Sequence, residues 1–182
     1  CNVRPVYPLA VRTPEFFDDR DPLWFSYFIT DVFREAAYLG LPFRWPRPDP
    51  VQQAPGVGYR MEQPFIHRLT HLGVAAAERG RGLEFLAEAG RTIWGGEAEN
   101  WHQGDHLQKA AERAGLDYAE LSAAVDGDTA RHAAIVEENQ IAQRAAGHWG
   151  VPMMVFDGET FFGQDRFDQM KWRMEQKGLA RR

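Results

Sequence analysis

The fold of this chain is decided by one stretch near its C-terminal end, Gly150-Val151-Pro152-Met153-Met154-Val155-Phe156-Asp157-Gly158-Glu159-Thr160-Phe161-Phe162-Gly163-Gln164-Asp165-Arg166. Within it, an Asp-Gly pair lies between the apolar runs Met153–Phe156 and Thr160–Phe162. Such a pair is typical of a β-hairpin, because glycine tolerates the positive φ of a tight turn. The stretch therefore predicts two antiparallel strands, followed by a helix over about Asp165–Lys177.

Upstream of the hairpin the chain is predicted to be mostly helical. Asp21 and Pro22 provide the N-cap and first turn of a helix from Pro22 to Leu39, and Gly40 ends it. Residues 41–58 are rich in proline, so they predict an extended connector pinned by Phe43 and Trp45. Five further helices are predicted at Glu62–Arg79, Leu83–Trp94, Asp105–Ala114, Tyr118–Val125 and Thr129–Ala146. At the N-terminal end, Asn2–Tyr7 mixes β-branched and aromatic residues, which predicts a short strand.

The bulk composition excludes several classes of protein. The 182 residues are 44% hydrophobic, enough for one domain or a small domain with an insertion. A net charge of -5 without a basic stripe argues against nucleic acid as a partner. No apolar run approaches the roughly 20 residues that cross a bilayer, so we expect a cytoplasmic protein with no membrane partner. Cys1 is the only cysteine, which excludes an internal disulfide and a Cys-x-x-Cys pair within these residues.

The quoted stretch resembles a known family. A Gly-x-Pro followed at this distance by a hairpin and Phe-Phe-Gly-Gln-Asp-Arg is similar to the 2-hydroxychromene-2-carboxylate isomerase and kappa-class glutathione transferase branch of the DsbA-like thioredoxin-fold proteins. The segment Tyr38-Leu39-Gly40-Leu41-Pro42-Phe43-Arg44-Trp45-Pro46 is similar to that family's connector into its helical insertion. The resemblance extends over essentially the whole chain, although the helical middle matches by pattern more than by motif.

The resemblance implies an α/β fold with a thioredoxin-like sheet and a large all-helical insertion. Residues 1–21 and 147–182 would form the thioredoxin-like half, and residues 22–146 the insertion domain, with the connector at 41–58. The family's first strand and first helix carry the nucleophile position, a Ser or Cys, and this chain lacks both elements. We expect that segment to precede Cys1, so the catalytic residue is unknown and Cys1 itself is expected to be an ordinary apolar position.

The same resemblance implies a glutathione site around the proline. In this fold the bond corresponding to Val151-Pro152 is cis, and the main chain of Val151 would hold the cysteinyl part of glutathione. Gln164 and Asp165 would contact its glutamyl end, where Asp165 can pair with the ammonium group. Two simpler alternatives stay open: Pro152 as a structural proline in a turn, and Asp165 as a helix N-cap without a ligand.

Three residues are candidates for contacts with the substrate. Trp24 stands where the family has a lysine, which favours an apolar pocket for an aromatic molecule. Arg12 is a candidate replacement for a family asparagine in the loop after the second strand. Trp149 either covers the site or fills the junction between the two halves.

Two histidine pairs have spacing that could ligate a metal, His67 with His71 and His102 with His106. Neither has a convincing third ligand. We interpret all four as solvated or capping side chains and predict no metal site.

We therefore expect a glutathione-dependent isomerase or transferase that acts on an aromatic-derived enone or chromene. Addition of the glutathione thiolate turns a double bond into a rotatable single bond, and elimination restores it in the other geometry. Two alternatives stay open. One is a DsbA-like thiol-disulfide oxidoreductase, which requires a Cys-x-x-Cys before residue 1. The other is a non-catalytic relative that binds a small molecule or a partner. A homodimer is also left open.

Overall fold

The computed structural model describes residues 1–180, which divide into two compact units, residues 1–136 and residues from 137 onward. Eight α-helices and two strands form within these residues. The predicted class, α/β with a large helical insertion, is confirmed. The predicted domain bounds at 21/22 and 146/147 stay a prediction.

The first unit is helical. Its helices are α1 (Leu9–Arg12), α2 (Pro22–Leu39), α3 (Pro64–Glu78), α4 (Gly82–Trp94), α5 (His106–Arg113), α6 (Tyr118–Gly127) and the first part of α7 (Thr129–Ala145), with a short 3-10 helix at Pro14–Phe17. Every helix predicted in this part of the chain forms, with ends displaced by at most a few residues. The 3-10 turn and α1 had not been predicted, since four residues carry too little periodicity to be recognised.

Capping explains where the longest helix begins and ends. The carboxylate of Asp21 accepts a hydrogen bond from the N–H of Leu23 at 2.8 Å, with Pro22 in the first turn. Gly40 closes α2 in the left-handed conformation, with φ of 65°. No residue of α2 is buried.

The core of the first unit lies between α3, α4, α5 and α6. Its largest buried side chains include Leu72, Phe85 and Leu121, with many alanines that let the helices approach closely. The connector over 41–58 is pinned as predicted, because Phe43 stacks on Trp94 at 6.0 Å between ring centroids. A second anchor, which the sequence did not reveal, is the buried side chain of Gln63. It accepts from the N–H of Gln52 and donates to the carbonyl of the same residue.

The prediction of a strand at Asn2–Tyr7 is wrong, since residues 1–8 form neither strand nor helix. Strand propensity is realised only when a neighbouring strand supplies hydrogen-bond partners. Here the segment packs through its side chains instead. Pro5 lies against Gly73 of α3, and the hydroxyl of Tyr7 is 2.7 Å from Nε2 of the buried His71. The interpretation of His71 as a solvated or capping histidine is therefore also wrong.

The second unit contains the predicted hairpin. Strand β1 (Met153–Phe156) pairs antiparallel with β2 (Glu159–Phe162), and Met153 lies opposite Phe162. Asp157 and Gly158 take the positive φ values, 52° and 80°, that the turn requires. These two strands form the single sheet found among residues 1–180.

The predicted last helix is divided into two pieces. A 3-10 turn covers Gln164–Arg166, and α8 covers Phe167–Gln176. Two ion pairs tie α8 and its C-cap residue Lys177 to the hairpin: Arg173 with Glu159 at 2.6 Å, and Lys177 with Asp157 at 2.7 Å. The hydrogen bond from Lys177 holds the pKa of the Asp157 carboxyl below its usual value. None of the helices within the described part of the chain is both long and apolar enough to span a bilayer.

Candidate functional site

The candidate site is built around the loop that leads into β1. Its peptide bond between Val151 and Pro152 is cis, as predicted. The residue before this dipeptide, Gly150, is buried and has both main-chain groups paired. Its N–H donates to Nδ1 of His148 at 2.8 Å, and its carbonyl accepts from Nε2 of Gln143 in α7 at 2.6 Å. The loop is thus fixed on the N-terminal side of Val151.

The loop is also fixed on its C-terminal side. The carbonyl of Pro152 accepts a hydrogen bond from the N–H of Gly163 at 3.0 Å. Gly163 immediately precedes Gln164, so this bond joins the proline loop to the turn that carries Gln164 and Asp165. This one hydrogen bond therefore links the two segments that were predicted to contact glutathione.

Between these fixed points, the main chain of Val151 is open. Within residues 1–180 its N–H and its carbonyl have no hydrogen-bond partner, and the residue is 51% exposed. Main-chain groups that no internal partner satisfies are available to water or to a ligand. Val151 thus offers one donor and one acceptor, while hydrogen bonds hold Gly150 before it and Pro152 after it.

A stack of aromatic rings borders this loop. The imidazole of His148 lies flat on Phe162, with centroids 3.9 Å apart and planes 19° apart, and Trp149 stacks on His148 at 5.3 Å. Phe162 approaches the loop so closely that a Cβ on Gly150 would lie 2.1 Å from its ring. Only glycine fits at that position. Trp149 is 40% exposed, and both roles considered for it, covering the site or filling the junction between the two halves, stay predictions.

The turn after β2 places a charge pair in solvent. The carboxylate of Asp165 lies 2.9 Å from the guanidinium of Arg166 and is 67% exposed. The N-cap of the 3-10 turn is Gly163, and no side chain caps that turn or α8. The alternative in which Asp165 is only an N-cap is therefore wrong. Gln164 is exposed at the start of the turn.

The other two candidates lie in the first unit. Trp24, in α2, stacks on Phe28 with centroids 5.5 Å apart and planes 8° apart, and is 38% exposed. Arg12 is the half-buried last residue of α1. Their roles toward a substrate stay predictions.

A cleft of about 440 Å³ opens elsewhere on the first unit, between α5 and α6. Glu112, Asp117 and Tyr118 are among the residues that line it, and none of the candidate residues does. We give it no role in the site.

Three contributors were not predicted from the sequence: His148 as a hydrogen-bond acceptor, Gln143 as a donor, and Arg166 as the partner of Asp165. The one available signal was that His148 directly precedes the proline loop. Gln143 gave no signal, because a glutamine within a helix is usually solvated and its partner lies beyond the helix end.

Comparisons with known proteins identify a family and a similar fold. Residues 14–175 match the profile of the DSBA-like thioredoxin domain family. Among solved structures, a 2-hydroxychromene-2-carboxylate isomerase aligns with a TM-score of 0.60 at 16% identity, over 94% of this chain and 78% of the isomerase chain. At that identity the likeness establishes the fold. No curated protein matches the chain. Because the family profile covers most of its length, the chain belongs to the DSBA-like thioredoxin domain family.

Proposed function

We propose that this protein is a glutathione-dependent isomerase or transferase for an aromatic-derived enone or chromene-type small molecule. One observation carries the proposal: the open peptide unit of Val151 is joined through the Pro152–Gly163 hydrogen bond to the charge pair of Asp165 and Arg166. These groups suit the two ends of a γ-glutamyl-cysteinyl peptide.

The fit can be argued group by group. An extended peptide backbone presents one carbonyl and one N–H to its partner, and Val151 offers the complementary donor and acceptor. The glutamyl end of glutathione carries an ammonium and a carboxylate on one carbon. Asp165 would accept from the ammonium, and the guanidinium of Arg166 would donate to the carboxylate. Gln164, exposed beside them, would supply a neutral hydrogen bond.

When bound, glutathione supplies the thiolate nucleophile. The chain's own residues orient the tripeptide and exclude water from one side of it. Trp149 would cover the thiol end, while Arg12 and Trp24 remain candidates for the aromatic substrate. The 16%-identical isomerase structure supports this proposal at the level of the fold. A cytoplasmic location and a homodimer remain predictions.

Calorimetric titration of the full chain with glutathione tests the proposal, using wild type, Asp165→Ala and Asp168→Ala. A charge-assisted hydrogen bond contributes about 1.5–3 kcal/mol, so Asp165→Ala should weaken binding roughly ten- to hundredfold. Asp168 is exposed in the first turn of α8 and serves as the matched control, which should bind like wild type. If wild type fails to bind glutathione, the proposal is wrong.

Turnover is a separate measurement. Chromene and enone substrates are followed by absorbance at high protein concentration, with and without glutathione. Glutathione-dependent conversion supports an isomerase or transferase. Binding of glutathione without any conversion would favour the non-catalytic relative instead.

A further inference from the structure

His148 is bonded in a way that defines the state of both of its ring nitrogens. Nδ1 accepts the N–H of Gly150 at 2.8 Å, so it carries no proton. A neutral imidazole has one donor nitrogen and one acceptor nitrogen, so Nε2 must carry the proton. Among the described residues Nε2 has no hydrogen-bond partner, and it is absent from the buried polar atoms that lack one, so it reaches the surface.

Nδ1 of His148 matters because the N–H of Gly150 donates to no other group in the described residues. Gly150 is buried beneath the ring of Phe162, and a buried N–H without a partner is costly. Without Nδ1, the loop would have to turn the Gly150 N–H toward water. Any such turn rotates the peptide groups of Val151, the next residue, away from their present direction.

The ring is held in this orientation by its neighbours. Its imidazole stacks on Phe162 with centroids 3.9 Å apart, and Trp149, the next residue in the chain, also stacks on it. Stacking fixes the plane of the imidazole, while the bond to Gly150 fixes which edge faces the loop. The two contacts together specify one rotamer and one tautomer.

We infer that His148 is a positioning residue of the candidate site: through Nδ1 it keeps the Val151 peptide unit turned outward to a thiol peptide, and through Nε2–H it adds a donor to the same loop. The identity of the ligand in this inference rests on the proposed function. The effect of His148 on the orientation of the Val151 peptide unit does not.

Two variants separate the roles of the ring. His148→Phe keeps an aromatic ring over Phe162 and removes the acceptor. His148→Asn removes the ring and keeps an acceptor that can reach the N–H two residues on, as asparagine does in Asx-turns. The full chain is used throughout.

The first measurement is amide hydrogen exchange by NMR without ligand. The Gly150 N–H should exchange slowly in wild type and His148→Asn, and at least about tenfold faster in His148→Phe. The Val151 N–H should exchange fast in wild type. Long-range ¹H–¹⁵N spectra should show His148 protonated at Nε2 only, because Nδ1 accepts the N–H of Gly150. A proton on Nδ1, a protected Val151 or an unchanged Gly150 in His148→Phe would each overturn the inference.

The second measurement is glutathione affinity. His148→Phe should bind about tenfold more weakly than wild type, and His148→Asn should stay within about threefold, because the rescue depends on the acceptor. Equal losses in both variants would contradict positioning through Nδ1. If wild type itself does not bind, the proposed function fails, while the exchange and tautomer data still decide what His148 does to the loop.

Discussion

Replacement of Gly150 by alanine should destabilise the second unit through a single contact. The added Cβ would lie 2.1 Å from Cε2 of Phe162, 2.6 Å from Cζ and 2.8 Å from Cδ2. Carbon atoms in contact prefer about 3.5–4.0 Å, so the ring must move by more than about 1 Å. Phe162 cannot move alone, because His148 is stacked on it. Overpacking of this kind costs about 1–3 kcal/mol, or about 2–4 °C of Tm per kcal/mol in a chain of this size.

The contact can be isolated with a double-mutant cycle. Gly150→Ala is compared in the wild-type background and in Phe162→Ala, where the ring is gone. The free energy of unfolding is taken from urea titrations followed at the NMR amide signals of the hairpin. The cost of Gly150→Ala should fall to below about 0.5 kcal/mol without the ring, giving a coupling energy of about 0.5–3 kcal/mol.

A second glycine provides the control. Gly90 lies inside α4, where an added Cβ would have no atom of another residue within 4 Å beyond its chain neighbours and its own helix backbone, and its φ is not positive. Gly90→Ala should therefore stabilise the chain by about 0.5–1 kcal/mol, since alanine is the better helix former. The reasoning is refuted if Gly150→Ala leaves the hairpin as stable as wild type, or costs the same with and without the Phe162 ring.

Three further outcomes are expected. Burial, and after it the fields of nearby positive groups, lower the pKa of His71, so the unfolded state binds more protons than the folded state. The free energy of unfolding should therefore fall as the pH drops from about 7 to 5. In urea titrations, His71→Gln should flatten that dependence on pH. Hydrogen bonds from Arg113 and Arg91 lower the pKa of Glu88. Glu88→Gln should therefore lower the free energy of unfolding by about 0.5–1 kcal/mol at neutral pH, with a smaller loss at 1 M salt. An equal loss at both salt concentrations would contradict an ionic contribution. Gln143→Met removes the donor to the buried carbonyl of Gly150 and should cost about 1–3 kcal/mol in the hairpin signals, whereas an unchanged unfolding curve would show that this bond contributes nothing.

The sequence predicted local structure well where the signal was local. The turn at Asp157 and Gly158 was predicted because only a few residue types tolerate its φ values, and the structure has both at positive φ. Helix ends at Asp21 and Gly40 followed from capping chemistry in the same way. Such features depend on a handful of neighbouring residues, which a sequence displays directly.

Features that depend on distant partners were missed. The segment Asn2–Tyr7 has strand composition, but no strand pairs with it in the described residues, so it packs by side chains instead. His71 was interpreted as solvated because its partner Tyr7 lies 64 positions away. The site shows the same division: the cis bond before Pro152 followed from the family resemblance, whereas the bond from Gly150 to His148 depends on loop geometry that no motif encodes.

The central claim, that the open peptide unit of Val151 receives a thiol tripeptide, is tested most directly at that amide. Exchange of the Val151 N–H is measured by NMR on the full chain, without ligand and with saturating glutathione. We predict fast exchange in the free protein and at least about tenfold protection with glutathione, together with shifts at Gln164 and Asp165. Protection at other sites with Val151 unchanged, or no response anywhere, would contradict the account.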